Sequence, residues 1–177
     1  MTVHATRRRI GKHLNVKWGE QLGRPECPYL QRWAVMVGLF SVRVHHFYRS
    51  DDERAFHDHP WWFLTLVLRG GYTDVSPCPV CEGNPALKLI CGTGKPGGTC
   101  GGTGEQLDHI TAGSVRFRPA LHQHTVRVDP GGVWTVILTG PNRRVWGFWE
   151  RLPDGRRRFR KANKWFFMHG HHPCDQP

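Results

Sequence analysis

The sequence has no long hydrophobic run and no recognisable export signal. Its longest apolar run, residues 33–40, has eight residues and is too short to span a bilayer. The basic residues Arg7–Arg9 are not followed by the apolar stretch of a secretory signal. We therefore expect a cytoplasmic protein without a membrane partner. Its six cysteines are interpreted as metal ligands or free thiols rather than as a disulfide framework.

Acidic side chains are also few: 14 Asp and Glu stand against 25 Lys and Arg, which gives a net charge of +11. This balance favours an anionic partner, with nucleic acid as one candidate, and a solvated basic surface explains it equally well. The 177 residues fit one domain. A hydrophobic content of 38% with eight Trp residues excludes a disordered chain.

No segment carries a sustained apolar repeat of 3.6 residues, and the only helical candidates are short turns near residues 25–32 and 161–168. Alternating polar and apolar residues, separated by Gly and Pro turns, instead predict many short strands. This pattern is typical of a β-sandwich or β-barrel. The predicted strands cover residues 40–48, 61–68, 114–118, 122–128, 133–139 and 145–149.

Residues 76–106 interrupt this pattern, because they hold four cysteines and eight glycines but few large apolar side chains. We expect this segment to be inserted into a β-domain formed by residues 1–75 and 107–165, with residues 166–177 as a C-terminal tail. The pair Cys78-x2-Cys81 has the bite of a zinc knuckle. The predicted ligands of a structural zinc are Cys78, Cys81, Cys91 and Cys100. The alternative is a flexible loop of reduced thiols.

Two pairs of histidines at i and i+2 are the most specific feature of the β-domain. His57 and His59 share one side of an extended strand, and so do His122 and His124 further along the chain. Imidazoles on one side of a strand can reach a single metal ion. The alternative is a metal-free barrel whose histidines satisfy hydrogen bonds in the core.

The spacing of these histidines resembles the two motifs of the cupin superfamily. His57 and His59 match the paired ligands of the first motif, and Gly70 or Gly71 matches its closing glycine. Gly113, Pro119 and His124 match the second motif. The string His57-Asp-His-Pro-Trp61 is also similar to a group of small, uncharacterised cupins of phage and bacterial genomes, which has no agreed activity. The resemblance implies an all-β, double-stranded β-helix, or jelly-roll barrel, located in the host cytoplasm if phage-encoded.

The chain departs from the cupin pattern where the first motif has its Glu ligand, because Phe63 and Leu64 stand there. His122, His46 and Asp58 are the candidate replacements. Three imidazoles leave positions open on one transition metal, which we expect to be Fe, Mn, Ni or Zn. Cupins without this Glu include thiol dioxygenases, so the resemblance implies an Fe(II) oxygenase as one candidate.

Four arginines are candidates for clamping an anionic substrate through bidentate hydrogen bonds: Arg54, Arg69, Arg116 and Arg118. No general acid or base stands out. Asp74, Asp108 and Glu105 are candidates by position only and are interpreted as solvated turn residues. Because cupins often pair through strands, a homodimer is a further expectation.

The insertion has a resemblance of its own. Cys100-Gly-Gly-Thr-Gly is similar to the half-repeat of the DnaJ-type zinc domain, but Gly97 stands where a second paired cysteine belongs. Cys27, Cys174 and a C-terminal histidine cluster stay without an assigned role.

Two functions follow from these features. The first is a mononuclear metal-dependent enzyme with His57, His59 and His124 as ligands, acting on a small anionic or thiol substrate. The second is a non-catalytic binding or structural module, which uses its basic surface and zinc knuckle to contact nucleic acid or another protein.

Overall fold

A computed structural model of the chain describes residues 2–3, 6–10, 13–51, 55–81, 91, 100–152 and 156–163. Every element with defined bounds in these ranges is a β-strand, so the all-β class is confirmed. None of the described residues belongs to a helix with the length and apolar character needed to cross a membrane.

Fourteen strands follow one another along the chain. The first seven are β1 (Thr2–Val3), β2 (Thr6–Ile10), β3 (Leu14–Arg24), β4 (Cys27–Val37), β5 (Phe40–Phe47), β6 (Phe56–His57) and β7 (Phe63–Arg69). The remaining seven are β8 (Gly71–Pro77), β9 (Glu105–Thr111), β10 (Val115–Arg118), β11 (Thr125–Val128), β12 (Val133–Thr139), β13 (Gly147–Arg151) and β14 (Arg157–Lys161). The six predicted strands correspond to β5, β7, β10, β11, β12 and β13, and each observed strand begins within three residues of its prediction.

The strand order is that of a jelly roll. One sheet runs β5-β12-β7-β10, and the N-terminal strands β4, β3, β2 and β1 extend it beyond β5. The second sheet runs β11-β8-β9, and a bridge between His57 and His124 joins it to β6, β13 and β14. All pairs are antiparallel, and long connections alternate between the two sheets, as in the double-sheet architecture that cupins share.

The apolar core lies between the two sheets. Val67 and Val133 come from the first sheet, and Tyr72, Ile110 and Val126 come from the second. All five are at most 9% exposed. Burial of such side chains supplies most of the favourable free energy of folding, which explains how short strands form a stable framework for a site.

Gly70 makes the tight connection between β7 and β8. Its φ of +77° lies in the left-handed region, and a Cβ there would stand 2.2 Å from the backbone oxygen of Gly132. A side chain at this position would therefore force the two turns apart, which explains why glycine closes this hairpin.

The N-terminal part of the chain differs from the prediction. The helical turn expected near residues 25–32 is wrong, because residues 25 and 26 form a turn and β4 begins at Cys27. Strands β3 and β4 form a long hairpin with two register irregularities. These irregularities break the alternation of side chains, so the sequence pattern does not reveal the hairpin.

The cysteine-rich segment is the loop of the β8–β9 hairpin. Pro77 and Glu105 are paired, so the segment leaves and rejoins the barrel at one point. The side chains of Cys78, Cys81, Cys91 and Cys100 are at most 6% exposed and form a cluster separate from the barrel core.

Candidate functional site

Three imidazoles meet between the two sheets. The ligand atoms of His57, His59 and His124 all lie within 4.8 Å of one another. The Nε2 atoms of His59 and His124 are 2.9 Å apart, although 65 positions separate the two residues in the sequence. The structure therefore brings together the three histidines that the two motifs predict.

Backbone pairing produces this convergence. The His57 N–H donates to the His124 carbonyl at 2.8 Å, and the His124 N–H donates back to the His57 carbonyl at 2.9 Å. This bridge joins β6 to the segment just before β11 and fixes the two imidazoles side by side, with ring centroids 4.6 Å apart. The site is thus set by the strand register rather than by a flexible loop.

Two carboxylates face the Nδ1 atoms of this group. Asp74 Oδ2 lies 3.2 Å from His124 Nδ1, and Asp51 Oδ2 lies 3.6 Å from His57 Nδ1. Asp51 is held in turn by the Tyr29 hydroxyl and by the Val126 N–H. A carboxylate at Nδ1 favours the tautomer that leaves Nε2 free as an acceptor, which is the arrangement of metal-ligating histidines.

Burial favours the neutral form of His57 and His59. Desolvation lowers the pKa of His57 to about 4, and the charge of His124 adds to this effect while Asp51 opposes it. Desolvation also lowers the pKa of His59 well below its ordinary value, and the neighbouring His57 and His124 act in the same direction. Neutral imidazole is the form that binds a metal, so these side chains are ready ligands near neutral pH.

Asp74 is the centre of a buried polar network and not the solvated turn residue expected from the sequence. It lies on β8, is 2% exposed, and accepts hydrogen bonds from His122 at 3.0 Å and from Arg118 at 3.1 Å. Burial raises the pKa of Asp74, but the hydrogen bonds from His122 and His124 outweigh this effect and hold it below its usual range.

His122 was the alternative fourth ligand, and the structure places it outside the three-histidine group. Its Nε2 atom faces Asp74, with which it and His124 form a second group of side chains. Because Arg118 already pairs with the same carboxylate, this second group is a hydrogen-bonded support of His124.

The other candidate replacements for the missing Glu also lie elsewhere. His46 stacks on Trp134 on the other face of β5, with ring centroids 4.3 Å apart. Phe63, which stands at the Glu position, packs its ring 4.6 Å from that of His59. An aromatic ring therefore occupies the place of the carboxylate.

Asp58 points away from the two histidines that flank it. It is fully buried and accepts hydrogen bonds from the Gly147 N–H at 3.1 Å and from Trp149 Nε1 at 2.9 Å. Arg144 pairs with it at 2.7 Å. Asp58 therefore fastens β13 to the segment that carries His57 and His59, and it takes no part in the three-histidine group.

Three of the four arginines predicted to clamp a substrate are described by the structure. Arg116 and Arg118 pair with Asp108 at 3.2 Å and 2.7 Å, and Arg118 also pairs with Asp74. Arg69 is exposed at the end of β7. Arg54 lies outside the described residues. The charges of Arg116 and Arg118 are thus shared with carboxylates, that of Arg69 is directed to solvent, and a role of these arginines in substrate binding stays a prediction.

The four cysteines of the insertion form a second metal-capable group. Their Sγ atoms lie within 4.8 Å of one another. The Sγ atoms of Cys78 and Cys91 are 3.5 Å apart, and those of Cys81 and Cys100 are 3.7 Å apart. Zinc–sulfur bonds of about 2.3 Å in a tetrahedron place sulfur atoms about 3.8 Å apart, so the cluster fits such a centre.

Cys27 differs from these four. It is disulfide-bonded, whereas the four clustered cysteines are free. The interpretation of all six cysteines as ligands or free thiols is therefore wrong for Cys27. Of the helical turn expected near residues 161–168, residues 162 and 163 are helical, and residues 164–168 lie outside the described residues, as do Cys174 and the C-terminal histidine cluster.

Sequence reasoning missed the two supporting carboxylates and two further residues of the inner face, Arg43 and His45 on β5. Arg43 stacks over the Trp61 ring at 4.3 Å, and His45 is 7% exposed. The alternation along β5 separated these two residues from Phe40 and Val42. It did not reveal which of the two faces is turned inward.

No protein-family profile and no curated protein matches the sequence. Among solved structures, an Fe(II) HppE is similar at a TM-score of 0.43 and 11% identity, over 67% of this chain and 54% of that one. An RmlC-like cupin from Shewanella frigidimarina gives 0.42 and 16%, over 71% and 86%. An oxalate decarboxylase from Lactobacillus farciminis, in a formate complex, gives 0.40 and 12%, over 78% and 31%.

This chain spans about half of the HppE chain and less of the decarboxylase, and the likenesses are too distant to carry an argument about activity. The strand pairing of the chain itself is the evidence for the fold. Its order and direction give this protein the all-β jelly-roll fold that cupins share, with a four-cysteine insertion in one hairpin.

Proposed function

We propose that the protein is a mononuclear metalloenzyme of the jelly-roll fold, with His57, His59 and His124 as the metal ligands. The observation that carries this proposal is the convergence of three imidazoles, one buried and two partly buried, whose ligand atoms lie within 4.8 Å. Carboxylates at two of the Nδ1 atoms support it, because outer partners of this kind orient metal-binding histidines.

The donor set fits a transition metal of the borderline class, and Fe, Mn, Ni and Zn are the candidates. When bound by three imidazoles, such an ion retains open positions that polarise a substrate or activate a small molecule. The chain's own residues supply the rest: Phe63 covers one side of His59, and Asp51 and Asp74 hold two imidazoles in place. The finer proposal is an Fe(II) oxygenase that acts on a small anionic substrate.

A direct test loads the purified protein with Fe(II) without oxygen and adds nitric oxide. An iron with three histidine ligands and open positions gives an electron paramagnetic resonance signal of a high-spin nitrosyl. We expect this signal in the wild type and its loss in His59→Ala. A wild-type protein that binds Fe(II) without a nitrosyl signal would contradict an oxygenase, and one that binds no transition metal beyond the cysteine site would contradict the metalloenzyme.

We also propose that Cys78, Cys81, Cys91 and Cys100 bind a structural zinc. Burial raises the pKa of the Cys91 thiol, and hydrogen bonds with neighbouring thiols add to this effect. Four thiolates therefore require a cation among them, and the sulfur spacing suits a tetrahedral ion.

The alternative of a nucleic-acid-binding module rests on the net charge of +11. Several arginines that contribute to this charge already have carboxylate partners, since Arg158 and Arg160 pair with Glu150 and Arg144 pairs with Asp58. Steeply salt-dependent binding of duplex DNA would favour this alternative. The homodimer, the cytoplasmic location and a phage or bacterial relationship stay predictions.

A further inference from the structure

The inner face of β5 is polar. Ser41 and His45 are 4% and 7% exposed, whereas Phe40 and Val42, on the opposite face of the same strand, are 50% and 49% exposed. Strands of a jelly roll normally place apolar side chains inside and polar ones outside. The polar residues of this face therefore require a physical reason beyond packing.

Two neighbouring side chains on this face have polar atoms without partners. His45 on β5 and Thr135 on β12 are directly opposite one another, and Thr135 is 1% exposed. Among the described residues, the two ring nitrogens of His45 and the hydroxyl of Thr135 have no hydrogen-bond partner. Buried polar groups in native proteins nearly always have partners, so this pair indicates a bound polar group.

Arg43 supplies a positive charge beside this pair. Its Nε atom donates to Ser41 Oγ at 2.9 Å, its guanidinium lies over the Trp61 ring at 4.3 Å, and it forms no ion pair with a described residue. Arg32 on the adjacent strand, in contrast, pairs with the buried Glu20. Arg32 thus forms an ion pair within the protein, whereas Glu20 acts on Arg43 only at longer range.

A chain of contacts leads from Arg43, through its hydrogen bond to Ser41, to the three imidazoles. Ser41 shares a hydrogen bond of 2.6 Å with Thr139, whose neighbour on β7 is Phe63. The Phe63 ring in turn packs against His59. The charge of Arg43 also contributes to lowering the pKa of both His45 and His59, so the guanidinium is within electrostatic range of both.

We propose that Arg43, His45 and Thr135 bind the carboxylate group of the substrate next to the three-histidine group. The inference rests on the proposed function, because it assigns the chemical class of the substrate that the metal centre would use.

The donors match one carboxylate. The guanidinium offers two parallel N–H groups, and His45 and Thr135 each add one donor, which suits the lone pairs of two oxygens. Burial lowers the pKa of His45 to about 3, Arg43 and Arg32 act in the same direction, and Glu20 opposes them. The imidazole is therefore neutral, and Arg43 supplies one positive charge to the site. A planar monoanion is therefore a better match than a phosphate dianion, and a thiol would leave these donors unpaired.

The test titrates the metal-loaded protein with acetate, glycolate and pyruvate, each against its neutral amide and against inorganic phosphate, by calorimetry or ligand-observed NMR. We expect at least one carboxylate to bind, its amide and phosphate to bind at least tenfold more weakly, and Arg43→Gln to weaken the carboxylate at least tenfold. Arg43→Lys should lose most of the affinity as well, because it keeps the charge without the fork. Arg69→Gln, an exposed arginine of the same sheet, is the matched control.

Thr135→Val provides a second test that keeps the volume of the side chain. We expect it to weaken the carboxylate severalfold while raising the midpoint of thermal unfolding, because it removes an unpartnered buried hydroxyl. A purely structural role for Thr135 would move stability without moving affinity.

Metal analysis of every variant separates this inference from the proposed function. Arg43→Gln should retain the barrel metal, and metal-free His124→Ala protein should still bind the carboxylate. Carboxylate affinity that is equal in Arg43→Gln and wild type, or absent from metal-loaded wild type, would overturn the inference and leave the metal centre standing. Wild-type protein without a barrel metal would overturn the proposed function, and the carboxylate titration would then still decide the role of Arg43.

Discussion

The two metal-capable groups of this protein are built in opposite ways. The four cysteines come from one segment between the paired residues Pro77 and Glu105, and they cluster apart from the barrel core. The three histidines come from two distant parts of the chain, which a backbone bridge joins between two sheets. We therefore propose that a metal organises the segment of the first group, whereas the fold positions the second group through its strand pairing.

The largest expected effect concerns the cysteine group. Cys78→Ser should remove one metal equivalent per chain and make the segment between β8 and β9 the first site of limited proteolysis. Structural zinc in small peptides contributes about 10–16 kcal/mol of apparent binding free energy, so loss of a thiolate should disorder the segment while the barrel still unfolds cooperatively. Metal analysis and proteolysis check this result. Val80→Ala, at a residue 51% exposed within the same knuckle, is the control and should retain the metal.

The second effect tests whether the barrel really positions the histidines. Asp58→Ala leaves Arg144 without its buried partner and removes two hydrogen bonds to β13. Breaking a buried pair of this kind costs about 3–5 kcal/mol, so denaturant unfolding should show a loss of that size. Asp108→Ala, at a half-exposed pair, should cost about 1 kcal/mol or less. Equal stabilities of the two variants would contradict the role assigned to Asp58.

The third effect is the pH dependence of stability that arises from the buried His45. Burial lowers the pKa of His45 to about 3, so the unfolded chain takes up its proton first as the pH falls below 6.5. Above pH 6.5 the free energy of unfolding keeps its full value. As the pH falls towards the pKa of His45 in the folded protein, the free energy of unfolding decreases, by about 2 kcal/mol between pH 6.5 and pH 5. We expect denaturant unfolding of metal-free protein to show this loss and His45→Asn to show a smaller one. An identical pH dependence in the variant would assign the loss to other groups.

The smallest effect concerns the support of the histidine group. Asp51→Asn should lower the metal affinity of the three-histidine group about tenfold, or by about 1.4 kcal/mol. This is the lower end of the range for residues that hold metal ligands, because Asp51 lies 3.6 Å from His57. Competition with a chelator measures this change, and the cysteine site of the same protein is the internal control. An equal loss of affinity at both sites would indicate general destabilisation.

The sequence predicted the parts of the site that rest on spacing. The two motifs identified His57, His59 and His124 as the histidines that converge, whereas His122, at the same i and i+2 spacing, faces Asp74. The cysteines were likewise recognisable from their spacing. These predictions depend on geometry within a few residues, which the chain alone determines.

The parts that depend on the orientation of a strand were not predictable. Arg43 and His45 alternate with Phe40 and Val42, and an inward polar face is the reverse of the usual arrangement. Asp74 gains its burial from β11, with which β8 pairs, and not from its own neighbours in sequence. The β3–β4 hairpin was missed because its register shifts disturb the alternation.

The number of metal ions per chain decides whether the three histidines bind a metal of their own. We expect purified wild-type protein to hold two metal equivalents. His57→Ala and His124→Ala should each lose one while the unfolding midpoint changes little, and Cys78→Ser should lose the other. One zinc per chain that survives both histidine substitutions and disappears in Cys78→Ser, with no second metal in the wild type, would contradict the account.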